Sequence, residues 1–171
     1  MTGPSLFRLH GDSVVKLTSR PTQDERALQR VVESHLRTFL GVHVLATEYP
    51  TGARHGGRID TLGIDDLATP VIIEYKRRTA RNLINQGLFY LDWLQDHRAE
   101  FHLLLEDRLG PSAPRSVNWM APRLVCIAPE FHRYDLYAVR QITRHIELVR
   151  YRWFGRDLLM LEEVVRSSSH R

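Results

Sequence analysis

Three side chains in the middle of the chain, Asp60, Glu74 and Lys76, have the types and spacing needed to hydrolyse a phosphodiester. That chemistry needs a divalent cation against the phosphoryl oxygens, carboxylates to hold it, and a group that orients or activates a water. Magnesium-type ions prefer hard oxygen ligands and commonly take only one or two carboxylates from the protein. Asp60 lies in Gly56-Gly57-Arg58-Ile59-Asp60-Thr61-Leu62-Gly63-Ile64, where the two-residue period of a strand puts it on the face of Leu62 and Ile64. An acid among apolar neighbours is poorly placed for plain solvation, and the glycines before it let backbone or a substrate come close. Glu74 and Lys76 end the apolar run Val71-Ile72-Ile73-Glu74-Tyr75-Lys76 and share one side of that strand, with Ile73 and Tyr75 on the other. Glu74 can join Asp60 on a cation, the Tyr75 carbonyl can add a third oxygen, and Lys76 can polarise the water or steady charge on the phosphate. The competing reading is a cross-strand ion pair on a half-exposed sheet, which adds little to stability.

For this chemistry Asp60 and Glu74 must stand on neighbouring strands, and the surrounding pattern predicts that they do. Residues 58–64 and 71–76 read as strands joined through the Asp65-Asp66 turn, an antiparallel hairpin. A strand over 42–49 and a loop over 50–57 precede them. Before these, Pro21-Thr22 opens a helix in which Thr22 and Glu25 have capping-box spacing. Leu28, Val31, Val32, Leu36, Phe39 and Leu40 follow with helical period, and Gly41 supplies the stop. After Lys76 a long helix is expected over 79–97, continuing past a break to 108. A loop at 110–114, a buried strand at 124–128 and a helix at 133–142 come next. Strands at 146–154 and 158–164 pair across Gly155-Arg156, and 167–171 reads as a frayed tail. An N-terminal hairpin over 6–17 turns at Gly11-Asp12. The expected organisation is an N-terminal hairpin extension (1–20), a core (21–131), and a C-terminal helix and strand extension of the same domain (132–171). The class is α/β, a mixed central sheet flanked by helices.

Composition narrows the chemistry further. The 171 residues are 43% hydrophobic and 26% charged, ordinary for a globular chain, with a net charge of +4 that permits nucleic acid as a partner without requiring it. Cys126 is the only cysteine, so an intramolecular disulfide and a four-thiolate iron–sulfur cluster are excluded within one chain. In Leu124-Val125-Cys126-Ile127-Ala128 it reads as a small buried hydrophobe. No apolar stretch approaches a membrane span and no signal-peptide core is seen, so a cytoplasmic protein without a membrane partner is expected. Arg77, Arg78 and Arg81 after the Glu-x-Lys strand, and Arg54, His55 and Arg58 on the glycine-containing loop, are candidate phosphate contacts, with solvated charged faces as the alternative.

Gly-Arg-Ile-Asp, a hairpin and then Glu-Tyr-Lys resembles the signature of the PD-(D/E)xK nuclease superfamily, although Ile59 stands where the family's name has proline. The resemblance covers about residues 25–130. It implies a restriction-endonuclease-like core of helix, three strands, helix and strand. It also implies a metal-dependent DNA nuclease using Mg2+ or Mn2+, with Asp60 and Glu74 as ligands and Lys76 beside them. Glu33, placed beside the apolar stripe of the first helix by its spacing to Leu40, matches a helix-one glutamate that often completes such a metal site, directly or through water. Gln86 and Tyr90, four apart and so on one helix face, form Q-x-x-x-Y, which resembles the RecB-like branch; the whole run is also similar to the catalytic domain of NucS-type endonucleases. The Gln86–Tyr90 pair then reaches substrate or the lysine. The alternatives are an inactive nucleic-acid-binding or assembly module on the same fold, and an RNA-directed nuclease. A homodimer is an option, since a single site cuts one strand and two sites cut both.

Overall fold

The structure is a computed structural model describing residues 4–20, 24–78 and 82–167; the Arg54 side chain also lies outside the described set. An antiparallel pair, β1 (Leu6–His10) and β2 (Ser13–Leu17), forms the N-terminal hairpin. The rest is built on one seven-stranded sheet in the order β3-β8-β7-β6-β5-β4, with β9 on β8. Its strands are β3 (Ser19–Arg20), β4 (Val42–Pro50), β5 (Arg58–Asp65), β6 (Pro70–Tyr75), β7 (Arg123–Ala128), β8 (His145–Phe154) and β9 (Leu158–Ser167). Strands β4, β5 and β6 are antiparallel neighbours, whereas β6, β7 and β8 run parallel. The sheet is therefore mixed, with helices on both faces, and the expected fold class holds.

The first helix is two. Helix α1 (Glu25–Ser34) ends at His35, whose φ of −130° breaks the turn, and α2 (Leu36–Leu40) follows. Leu28, Val32 and Leu36 are fully buried, but Val31 and Phe39, expected on the same stripe, are exposed. Pro21 and the expected Thr22 cap lie outside the described residues. Asp24 instead caps α1, accepting the Arg26 N–H at 3.0 Å. Gly41 closes α2 in the left-handed conformation, φ 65°.

Helices α1 and α2 cover one face of the sheet, where Val71, Ile73, Tyr75, Val125, Ile127, Val149 and Tyr151 form a core with Leu28, Val32 and Leu36. On the other face lie α4 (Leu83–Asp96), α5 (Arg98–Leu109) and α6 (Arg133–Gln141), packed through Leu91, Leu94, Phe101, Leu105 and Val139 onto Leu62, Ile72, Leu124, Cys126 and Leu148. A single turn, α3 (Gly52–His55), sits within the loop after β4. The start of the long helix at 79–81 falls outside the described residues. No helix among the described residues is long and apolar enough to cross a membrane.

Two expectations need correction. Ser167 is not tail: it ends β9, is 7% exposed, and its hydroxyl donates to the Arg144 carbonyl at 2.7 Å while accepting the Ile146 N–H. Asp65 does more than shape a turn. It accepts the Leu67 and Thr69 N–H groups and also meets Arg123 at 2.9 Å. Arg123 in turn reaches Glu147 at 2.8 Å, and Glu147 also meets His145 and Arg166. Burial alone would raise the Glu147 pKa, but the His145 and Arg123 hydrogen bonds and the Arg123 and Arg166 charges hold it at about 2. This ionic cluster pins β5, β7 and β8 together at the end of the sheet away from Glu74.

Candidate active site at the splayed end of β5 and β6

The paired register of β5 and β6 ends at Thr61–Ile73. Beyond it two backbone N–H groups are taken up by carboxylates reaching across from the other strand. The Asp60 N–H donates to Glu74 Oε1 at 3.2 Å, and the Tyr75 N–H donates to Asp60 Oδ2 at 3.0 Å. Each acid thus replaces a ladder acceptor for its neighbour's strand, holding both carboxylates in the gap where the strands part. Ile59 and Leu62, three residues apart, pack in the same core cluster, so the two-residue alternation expected around Asp60 is interrupted there. On the neighbouring strand β4, Glu48 has φ 53°, an uncommon conformation for a residue with a side chain, between the Thr47–Thr61 and Tyr49–Ile59 pairs.

Helix α4 closes the site from one face. The Gln86 Nε2 donates to Glu74 Oε2 at 2.8 Å and lies 3.5 Å from the Tyr90 hydroxyl, which accepts the Arg58 N–H at 3.1 Å. Gln86 and Tyr90 therefore meet Glu74 and the backbone ahead of Asp60. From the other face, the Gln29 Nε2 on α1 donates to the Asp60 carbonyl at 2.9 Å and contacts Glu33 Oε1 at 3.2 Å. Glu33 also accepts the Thr61 hydroxyl. Its bonds are thus to Gln29 and Thr61, one residue removed from the two carboxylates.

Lys76 follows β6 directly, its N–H donating to the Ile127 carbonyl at 2.9 Å. Its ammonium lies 4.0 Å from Glu25 Oε1, and Glu25 Oε2 accepts the Arg77 N–H at 2.7 Å. The positive charge of Lys76 acts on both central acids, yet does not balance them. Burial pushes Asp60 up to about 6 against the Tyr75 hydrogen bond and the Lys76 charge. Glu74, fully buried, goes further, to about 9, through burial and then the Asp60 charge. Glu48 adds to the repulsion on both.

The candidate phosphate contacts divide. Arg58, Arg77 and Arg78 are exposed beside the site, with Arg58 Nε 2.8 Å from Glu48 Oε2. His55 is half-buried, its ring 5.3 Å from Phe89 and 5.7 Å from His97. Arg81 and the Arg54 side chain lie outside the described residues. Gln29 and Glu48 were not singled out from the sequence, and Glu25 only as a capping-box partner of Thr22. Gln29 had one legible signal, since it stands four residues before Glu33 on the apolar side of the helix.

This helix, three antiparallel strands, helix and parallel strand make up a restriction-endonuclease-like core. A repair endonuclease from Pyrococcus abyssi shares it, with a TM-score of 0.52 over 80% of this chain and 51% of that one, at 19% identity. EndoMS in its complex with double-stranded DNA gives a TM-score of 0.50 over 86% of this chain and 64% of that one, at 15% identity. In sequence, an uncharacterized protein of Haemophilus influenzae is 27% identical over 147 residues, 85% of this chain but 48% of that protein. The chain spans about half the length of that relative and of the Pyrococcus abyssi enzyme. No protein-family model matches the sequence.

Proposed function

We propose that this chain is a nuclease module that hydrolyses phosphodiester bonds in DNA with the help of Mg2+ or Mn2+. The observation that carries the reading is the reciprocal exchange at the end of the β5–β6 ladder, which holds Asp60 and Glu74 together beside the charge of Lys76. The likeness of the fold to a repair endonuclease, and to EndoMS in complex with double-stranded DNA, supports it.

The residues fit a hard divalent cation. The half-buried Asp60 and the fully buried Glu74 repel each other and are raised by burial beyond what Lys76 offsets, a clash of like charges that a cation relieves. Among the described residues no three His, Cys, Asp or Glu side chains are arranged to hold a metal. Asp60 and Glu74 would therefore hold the ion with the Tyr75 carbonyl and water, a sparse protein shell of the kind Mg2+ accepts. When bound, the cation stabilises charge on the phosphoryl group and lowers the pKa of water.

The chain's own residues do the rest. Gln86 fixes Glu74 through Oε2, and Gln29 fixes the Asp60 main chain, so both acids are set before substrate arrives. Lys76, with 29% of its side chain exposed and its ammonium 4.0 Å from Glu25, lies within electrostatic reach of both acids, where it orients the attacking water or meets the scissile phosphate. Glu33 supports Asp60 through Gln29 and Thr61 and can reach the ion through water. Arg58, Arg77 and Arg78, with Arg54, His55 and Arg81 on the adjoining segments, carry the flanking phosphates.

The test is incubation of supercoiled plasmid and end-labelled single strands with Mg2+, Mn2+ or EDTA. Cleavage that needs the metal and disappears in Asp60→Asn and Lys76→Ala, with DNA binding retained, supports the reading. Equal activity in Asp60→Asn would refute it, and parallel RNA substrates separate the two nucleic acids.

A further inference from the structure

Helix α6 carries a face that the carboxylate centre does not use. Val139 is fully buried and Leu136 packs against the core, while Tyr134 and Tyr137 are 62% and 65% exposed. A guanidinium stands at each ring: Arg133 Cζ is 4.8 Å from the Tyr134 centroid and Arg140 Cζ is 5.7 Å from that of Tyr137. Arg133 Nη2 also donates to the Tyr134 hydroxyl at 2.9 Å. Arg144, just beyond the helix, is exposed as well. Asp135 is the one acid between His132 and Arg144, and it is occupied in the helix cap, accepting the His132 N–H at 2.9 Å. The His132 ring also lies 4.8 Å from that of Tyr134, so the outward face carries two aromatic rings, each more than half exposed, beside cations that no neighbouring acid on the helix cancels.

We propose that this face of α6 binds a nucleic-acid strand running from the carboxylate centre, with Tyr134 and Tyr137 stacking on bases and Arg133, Arg140 and Arg144 meeting phosphates. The position argues for it. Strand β7 lies parallel to β6 with Ile127 opposite Tyr75, and it ends at Ala128 beside Lys76. The chain from Ala128 to His132 can span at most about 14 Å, so α6 starts within that reach of the strand ends that carry Glu74 and Lys76. Burial, then the Glu74 and Asp135 charges, raises the Cys126 thiol, which places the first turn of α6 within electrostatic reach of the same buried residue as the candidate centre. Aromatic rings interleaved with arginine are the physical requirement of a strand-binding surface, because every base offers a π-face and every linkage a charge. Rigid tyrosine rings do this at small conformational cost.

This inference rests on the nuclease reading for the strand's presence but can be measured without cleavage. The full chain in EDTA is titrated against a fluorescein-labelled oligothymidylate and read by anisotropy. Tyr134→Ala with Tyr137→Ala should weaken binding about tenfold or more, while the paired Tyr→Phe variants retain it. Arg133→Gln with Arg140→Gln should reduce the slope of log Kd against log salt by about 0.7 per arginine. Wild-type affinity in the alanine pair overturns the proposal, as does failure of the wild type to bind. Loss of self-association by light scattering, with oligonucleotide binding intact, assigns the face to a second copy and overturns it too. Plasmid cleavage by the same preparations separates the two readings. Binding that depends on α6 without metal-dependent cleavage sinks the nuclease reading alone. Cleavage with α6-independent binding sinks this one alone.

Discussion

The backbone of Gly57 lies so close to the ring of Tyr90 that a Cβ added there would sit 2.7 Å from Cε1 and 2.9 Å from the hydroxyl. The Gly57 N–H is meanwhile held by Thr51 Oγ1 at 3.0 Å, and the next N–H, that of Arg58, by Tyr90 itself. One tyrosine therefore sets the approach of the chain into Asp60.

Gly57→Ala tests that relationship. The methyl group must push the loop or Tyr90 aside, an overpacking that costs about 1–3 kcal/mol, or a Tm lower by roughly 2–10 °C for a chain of this size. Since Asp60 lies three residues on, metal-dependent cleavage should fall further than stability implies, by about tenfold or more. Differential scanning fluorimetry beside the plasmid assay separates the two effects.

Asp60→Asn should abolish cleavage while leaving the fold intact or firmer. The amide oxygen can still accept the Tyr75 N–H, and one member of a mutually repelling pair is neutralised. The expected result is an unchanged or higher Tm at pH 8 without metal, together with loss of any Mn2+-induced thermal shift. Glu74→Gln is less tolerant, because both Glu74 oxygens accept N–H groups, from Asp60 and from Gln86, and an amide nitrogen would face one of those donors.

The pH dependence has a definite sign. Asp60 and Glu74 bind protons more tightly folded than unfolded, with values of about 6 and about 9 against ordinary ones of 3.8 and 4.5. Across that window the folded chain holds more protons, so metal-free stability falls as pH rises. A divalent cation competes with those protons. Its stabilising effect should therefore grow from pH 6 to pH 9, measured as the Tm difference with and without Mn2+ at each pH.

At the far end of the sheet, Arg123→Ala would leave Asp65 and Glu147 buried without their shared cation. Breaking a buried pair in this way costs about 3–5 kcal/mol, a Tm drop on the order of 10 °C. Glu147 shows the opposite pH sign from the central acids. Its lowered pKa contributes stability above about pH 4.5 that is lost as pH falls toward about 2. Arg123→Ala should shrink that acid-side loss, as followed by thermal melts between pH 2 and pH 6.

Much of this arrangement is legible from local periodicity. The order of elements, the β5–β6 hairpin and the αL stop at Gly41 follow from apolar spacing and turn residues, because those signals act within a few positions. The details of the candidate site depend on contacts that no local pattern encodes. Glu48 bears on Asp60 and Glu74 through an uncommon φ on a third strand. Gln29 reads as an ordinary helix residue until its amide meets a carbonyl 31 positions later. Asp65 has the signature of a turn, and only the fold brings it to Arg123, 58 residues on. The break at His35 is likewise invisible to the helical period, which runs through it unbroken.

Cys126 lies at the middle of the sheet, fully buried, with its thiol raised by burial and by Glu74. A thiol so placed is inert to alkylating reagents while β7 stays seated between its neighbours, and this chain has no other. Its labelling rate in native buffer is thus a built-in clock for opening of the central strand. A cation or nucleic acid that binds only the closed molecule should slow that clock by the factor 1 + [L]/Kd.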